Sequence, residues 1–181
     1  MTSSTVADAH TFGDQPAVSV EVDYRVRHFL NYETRLLDER MFHEWVQLFC
    51  DDATYEIPVR LNREMGSDPF GSAKSFDDSK QTLGIRVDRL YTDFAWSEQP
   101  PSRVRHYVTN VMVSPTDSDD EYEVASNELV YRSRGESVEY DLISAVRYDR
   151  LRLIGESFRI ARRRICLDQT AIGAHNLSMF F

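Results

Sequence analysis

The apolar periodicity changes from helical to alternating part-way along the 181 residues, and that order limits the folds open to the chain. In the first part Val22, Val26, Phe29, Leu30 and Leu37 recur at the spacing of an amphipathic helix. Ser19 stands where an N-cap is needed, and Glu21 and Asp23 fall in the first turn, where acidic groups complement the helix dipole. A second, short helix is expected from about Glu39 to Phe49, with Phe42, Trp45, Leu48 and Phe49 inward and Asp51-Asp52 ending it. Thr54 to Ile57 reads as a short strand stopped by Pro58, and residues 60–76 as a loop broken by Gly66, Pro69 and Gly71. Asp77 or Asp78 is placed to cap a third helix with Leu83, Val87, Leu90 and Tyr91 on one stripe, and Gln99-Pro100-Pro101 closes the region.

From Arg103 onward the period is two. Val104, His106, Val108, Asn110 and Met112 alternate with Arg103, Arg105, Tyr107, Thr109 and Val111. A polar turn over 114–120 leads to a strand from Tyr122 to Arg134, and Arg134-Gly135-Glu136-Ser137 reads as a hairpin turn. Val138, Tyr140, Leu142, Val146 and Tyr148 then alternate with mostly polar residues. After a turn at Gly155-Glu156-Ser157, the last strand, Phe158 to Asp168, sets Phe158 and Ile160 on one side and Arg159 and Arg163 on the other. Three helices followed by an antiparallel meander is an α+β order. The economical packing lays the helices on one face of a strongly curved sheet and leaves the other face to solvent or to a partner. Without an internal repeat or a shift of composition, residues 18–181 read as one domain and residues 1–17 as a flexible N-terminal tail.

The formal charge of −9 argues against a nucleic-acid partner, which would need a basic face. Among the 21 basic residues Lys74 and Lys80 are the only lysines. A skew toward arginine fits an interface, where arginine is enriched, and fits a GC-rich genome equally. No run approaches the ~18 apolar residues of a membrane span. Met1 to Ala17 lacks the basic start and apolar stretch of a signal peptide. Cys50 and Cys166 are therefore expected to be reduced core residues of a cytoplasmic protein.

The chain carries few of the residue patterns that chemistry needs. A Rieske cluster needs two cysteines and two histidines in paired spacing, whereas Cys50 is followed by Asp51-Asp52 and Cys166 by Leu167-Asp168. His10, His28, His43, His106 and His175 share no ligand spacing, and His43-Glu44 lacks the second histidine of a zinc-protease helix. No catalytic, cofactor or metal residue is therefore assigned. What remains is acid–base chemistry in a pocket between the helices and the sheet, where Asp38, Tyr24, Tyr32, His28 and His106 could in principle meet. Each has a plainer reading: Asp38 as a helix N-cap, His28 as an ordinary surface or packed residue, His106 as a satisfied core histidine.

Several ordered blocks carry a resemblance. Phe76-Asp77-Asp78-Ser79-Lys80 with Ile85-Arg86-Val87-Asp88-Arg89-Leu90 is similar to the third helix of the small (beta) subunits of Rieske-type aromatic-ring-hydroxylating dioxygenases. The stretch Ala95 to His106, then Thr109-Asn110-Val111, Arg162 to Gln169 and Asn176 to Phe181, continues the likeness, which runs from about Tyr24 to the last residue. The resemblance implies a nuclear-transport-factor-2-like (cystatin-like) α+β cone and a non-catalytic assembly role in a terminal oxygenase. It also implies an α3β3 hetero-hexamer with a large (alpha) subunit. That partner would hold the Rieske [2Fe-2S] cluster and the mononuclear non-haem iron. Electrons would come through a reductase and often a ferredoxin, converting aromatic hydrocarbons to cis-dihydrodiols. The blocks are closer to small subunits acting on biphenyl-like or polycyclic hydrocarbons than on benzoate-type acids. A free-standing isomerase or dehydratase, or a ligand-binding module with a blind pocket, are the competing readings.

If the role is assembly, the residues to name are those that dock. Arg103 and Arg105 on the first long strand and Arg163 on the last can pair with carboxylates of a neighbour, or else face solvent. Trp96 can anchor an interface or pack in the core. Phe180 and Phe181 would waste apolar area unless docked on their own domain or on a neighbouring subunit, a gain of roughly 2–3 kcal/mol each.

Overall fold

The computed structural model describes residues 18–61, 68–92, 101–170 and 179–181. These form three helices and six strands: α1 (Val20–Asp38), α2 (Phe42–Val46), β1 (Phe49–Arg60), β2 (Phe70–Ser79), α3 (Lys80–Leu90), β3 (Ser102–Pro115), β4 (Glu121–Arg134), β5 (Tyr140–Ile154) and β6 (Ser157–Leu167). The strands make one mixed sheet in the order β2-β1-β6-β5-β4-β3. β1 and β6 run parallel and every other pair is antiparallel.

Helix α1 starts as expected, with Ser19 accepting the N–H of Val22. Val26, Phe29, Leu30, Leu36 and Leu37 are buried on its inner stripe, and so is Glu33, a charge at a core position. Helix α2 is shorter than its spacing suggests, because Leu48 and Phe49 already lead into the sheet. β1 runs through Pro58, which cannot donate a ladder hydrogen bond. It falls at a register shift beyond the last β6 partner, Glu56↔Arg164, where none is needed. Part of the expected loop is strand β2, which pairs with β1 through Thr54↔Ser79 to Ile57↔Phe76. The cap of α3 is Ser79, in a capping box with Thr82, rather than Asp77 or Asp78. Leu83 and Val87 face inward, while Tyr91 is exposed beyond the helix end.

Two bulges decide which side chains enter the core. Between Thr109↔Asn127 and Met112↔Ala125, Asn110 and Val111 oppose one residue of β4. Asn110 takes φ 53 there, a left-handed conformation that asparagine tolerates. The alternation of β3 therefore reverses: Val104, His106 and Val108 face the helices, then Val111 and Val113, and Met112 turns outward. In β6 the extra residue is Ala161, between Leu151↔Ile160 and Arg150↔Arg162. Phe158 and Ile160 point inward as expected, but beyond the bulge Arg163, Ile165 and Leu167 do so as well. Arg163 thus lies in the interior and not on the outer face with Arg159. On β5 the inward residues are Ile143, Ala145, Arg147, Asp149 and Leu151, which leaves Tyr140, Leu142 and Tyr148 exposed. The buried side chains of helices and sheet form one continuous cluster that includes Met179, Phe180 and Phe181.

Candidate functional site

At the centre of the inner face five charged side chains meet without contact with solvent. Glu33 comes from α1, Glu128 from β4, Arg147 and Asp149 from β5, and Arg163 from β6. Antiparallel pairing sets Asp149 opposite Arg163. All five N–H donors of Arg163 are used. Nε donates to Asp149 Oδ1 at 2.7 Å and Nη2 to Asp149 Oδ2 at 2.9 Å and Glu33 Oε2 at 3.0 Å; Nη1 donates to Glu33 Oε1 and, at 2.8 Å, to the main-chain oxygen of Phe181. Trp45 Nε1 donates to Glu33 at 3.0 Å. Arg147 is held more loosely, 3.1 Å from Asp149, 3.3 Å from Glu33 and 3.5 Å from Glu128. Burial pushes the Glu33 carboxyl up, but the charges of Arg163 and Arg147 and the hydrogen bonds from Arg163 and Trp45 outweigh it and hold the group at about 2. Burial likewise opposes the charge on Arg163, and Asp149 and Glu33 raise its pKa well above the usual arginine value. All five groups stand in ion pairs, but they are not equally satisfied: Arg147 Nε and Nη2 and Glu128 Oε1 are buried without a hydrogen-bond partner among the described residues.

A second polar group lies where α1 meets the sheet. Asp38, the last residue of α1 and not an N-cap, accepts the main-chain N–H of His106 at 3.0 Å and lies 2.7 Å from its Nδ1. His106 Nε2 is 3.1 Å from the main-chain oxygen of Phe180. The cavity beside them holds ≈ 20 Å³, space for about one water and for no aromatic substrate. Tyr24, Tyr32 and His28 do not join the pair; they line the exposed side of α1, with Tyr24 and His28 stacked.

The docking candidates separate. Arg103 and Arg105 are exposed on β3, where Arg103 donates to the Gly135 main-chain oxygen at 2.9 Å. Arg163 is fully buried. Phe180 and Phe181 are buried in their own chain: Phe180 lies against Phe42 and Trp45, and the Phe181 N–H donates to the Tyr55 hydroxyl at 3.2 Å. Trp96 lies outside the described residues. The outer face of the sheet carries large apolar and aromatic side chains. Tyr107 is 56% exposed and Leu142 51%, and Leu129, Tyr140 and Tyr148 accompany them. Leu129 stands opposite Tyr107, and Tyr131 opposite Leu142, so these side chains adjoin across β3, β4 and β5.

The described residues do not fit an iron–sulfur or non-haem iron site. No group of three or more His, Cys, Asp or Glu among them could hold a metal ion. Cys50 and Cys166 are buried thiols, raised by burial first, and His43 stacks on Tyr91. No helix among the described residues is long and apolar enough to cross a membrane.

The sequence profile of the ring hydroxylating beta subunit matches residues 32–174. The chain is 38% identical over 185 residues to the benzene 1,2-dioxygenase subunit beta of Pseudomonas putida, covering 98% of each. It is 36% identical over 178 residues to the biphenyl 2,3-dioxygenase subunit beta of Rhodococcus jostii strain RHA1, covering 94% of this chain and 95% of the relative. Among solved structures, a chain of naphthalene 1,2-dioxygenase with indole bound in its active site superposes with a TM-score of 0.82 at 19% identity, covering 91% of this chain and 88% of that one. That likeness shows a shared α+β cone of the nuclear-transport-factor-2-like kind.

Proposed function

The chain belongs to the ring hydroxylating beta subunit family, and from that premise we propose that its work is assembly: it docks on the large subunit of an aromatic-ring-hydroxylating dioxygenase and leaves the chemistry to that partner. Membership makes it a component of a multi-subunit oxidoreductase with an alpha partner. The finer reading is an α3β3 hexamer in the cytoplasm. Its large subunits would carry the Rieske cluster and the mononuclear iron and receive electrons from a reductase and ferredoxin. The substrate class is an aromatic hydrocarbon, taken to a cis-dihydrodiol. The observation that supports the assembly role is how the interior is filled: Arg163 spends every donor on Glu33, Asp149 and Phe181, and the cavity at the Asp38–His106 pair admits about one water.

The docking surface in this reading is the outer face of β3–β5. It joins exposed Tyr107, Leu129 and Leu142 to Arg103 and Arg105, an apolar patch flanked by arginines, of which tyrosine and arginine are the types enriched at interfaces. Trp96, outside the described residues, is proposed as a further docking residue. Phe180, Phe181 and Arg163 act from within, by holding the sheet in shape behind it. In this reading residues 18–181 act as one unit, and the N-terminal tail expected over 1–17 lies outside the described residues.

Co-expression with a large subunit tests the reading. The expected result is a complex with equal numbers of the two chains by native mass spectrometry, with iron present in it. Replacing Tyr107→Asp together with Leu142→Asp should leave the circular dichroism of this chain unchanged and abolish co-purification. A chain that stays monomeric beside an iron-loaded partner would overturn the proposal. A double variant that assembles normally would remove this face from it.

A further inference from the structure

The ring of His106 meets an acceptor at each nitrogen. Nδ1 lies 2.7 Å from Asp38 Oδ1 and Nε2 3.1 Å from the main-chain oxygen of Phe180. Asp38 Oδ1 also accepts the His106 main-chain N–H, so it faces the ring as an acceptor, and a main-chain oxygen can do nothing else. A neutral imidazole has one N–H and one lone pair. In either tautomer, one ring nitrogen would set its lone pair against an oxygen, in a side chain that is only 3% exposed. An unmade hydrogen bond costs most in such a place. The imidazolium donates at both nitrogens and satisfies both oxygens.

We propose that His106 is a protonated clamp that fastens residues Met179–Phe181 into the interior, so that docking of this segment is linked to pH. The clamp joins three parts of the chain: the end of α1 through Asp38, β3 through His106, and the last residues through Phe180. Its neighbours from every side are consistent with a cation. The acids are Asp38 and, from β4, Glu128. Of the arginines near it, Arg132 of β4 is turned toward Ser102 and Asp141, Arg40 lies over the Phe42 ring, and Arg105 is exposed 3.9 Å from Asp38. Helices α2 and α3 present Phe42 and Leu90. Burial opposes charge on the ring, but the Asp38 hydrogen bond, the charge of Glu128 and the Phe180 oxygen outweigh it and hold titration above the ordinary 6.5.

The sign follows from linkage. A group whose pKa is raised by folding gives its full stabilisation below the ordinary value and loses it as pH rises through the raised one. The clamp is therefore closed in mild acid and loosens in base. Loosening frees the Phe180 ring from Phe42 and Trp45 and weakens the bond from the Phe181 N–H to Tyr55.

Nuclear magnetic resonance on the full chain with labelled histidine tests this directly. At about pH 6 both ring nitrogens of His106 should carry protons. Between about pH 6 and pH 9 the exchange protection of the Phe181 amide, corrected for intrinsic exchange, should fall about tenfold for each unit by which the ring's pKa is raised. In His106→Gln the protection should be low throughout and flat with pH. In Asp38→Asn, which keeps the shape and removes the charge, the ring should titrate lower than in the parent chain. A His106 with one N–H at about pH 6, or Phe181 protection that stays constant while the ring titrates, would overturn the clamp. Both of those readings come from the unmodified chain and stand even if a variant fails to fold.

Discussion

Strands β5 and β6 bear arginine–carboxylate pairs on both faces, and the two faces put the same chemistry to different use. Inside, Asp149 stands opposite Arg163, and the carboxylates and guanidinium form a fork-to-fork pair closed by Glu33 and Phe181. Outside, Arg150 stands opposite Arg162, two like charges reconciled by Glu123 reaching across from β4. Arg152 bonds Glu121 at 2.7 Å and Asp52 at 3.0 Å on the same outer side. The outer side chains stay partly in water, where the attraction is weak and screened by salt. The inner ones have lost their water, so each unmet donor or acceptor counts. Distance alone does not separate the faces, since Arg152 holds Glu121 at 2.7 Å outside while Arg147 lies 3.1–3.5 Å from its carboxylates inside; what separates Arg163 is that it spends every donor out of water.

The largest loss is expected from Arg163→Ala. It would leave Glu33 and Asp149 buried without their main counter-charge and release the oxygen of Phe181. Removing one partner of a buried ion pair costs about 3–5 kcal/mol, a large part of the 5–15 kcal/mol that holds a typical domain. Urea unfolding of the full chain should show a lower midpoint with loss of that order. Arg163→Lys keeps the charge but not the planar fork and should recover only part. A loss below about 1 kcal/mol in Arg163→Ala would place the interior pair on the same footing as the outer ones.

Acid reaches the inner cluster without a mutation. Glu33 is lowered from 4.5 to about 2 in the folded chain. A depressed carboxylate stabilises above its unfolded value and loses that contribution as pH falls through its folded one, so the window lies between about pH 4.5 and pH 2. The whole contribution is about 3 kcal/mol, by the conversion of pKa units to free energy. Stability measured at successive pH values should fall across that window in the parent chain. Glu33→Gln should start lower at neutral pH and decline less through it. Parallel slopes for the two chains would remove Glu33 from the acid response.

Much of this frame can be read in the residues, and the failures have local causes. The α1 stripe, its Ser19 cap, the long strands and the hairpin at Gly135 follow from spacing and turn chemistry. His106 was readable as a satisfied core histidine from its place beside Val104 and Val108. Arg163 was misassigned because alternation continues only until a bulge, and nothing in Ala161 marks one. On β5 two alternations compete, Tyr140-Leu142-Val146-Tyr148 against Ile143-Ala145-Arg147-Asp149. Hydrophobicity favours the first, and the structure buries the second because Glu33 and Arg163 wait there to pair. One signal did exist: Glu33 stands on the stripe of Phe29, Leu30, Leu36 and Leu37. A charge among core positions calls for a buried counter-charge, and arginine on the facing strands is where to seek it. Asp38 and His106 stand together among the acid–base candidates and do meet, but Asp38 reaches the ring from the end of α1 rather than as an N-cap, and the tyrosines and His28 stay outside.

The smallest expected effect tests the outer face. Arg162 lies with its side chain about half exposed and reaches Glu123 at 3.3 and 3.4 Å, while Arg150 holds the same carboxylate at 2.8 Å. Arg162→Ala removes one of two guanidiniums from a carboxylate that keeps the other, and it also relieves the like-charge pairing of Arg150 with Arg162 across the strands. The two effects oppose each other, so the net change should fall within about 0.2–1 kcal/mol. Raising the salt to about 1 M shrinks the screening length to about 3 Å, and the difference between parent and variant should shrink with it. The Arg163→Ala difference should keep most of its size in the same salt, because no solvent ions reach the inner face. If both differences fell together, burial would not be what separates the two faces of these strands.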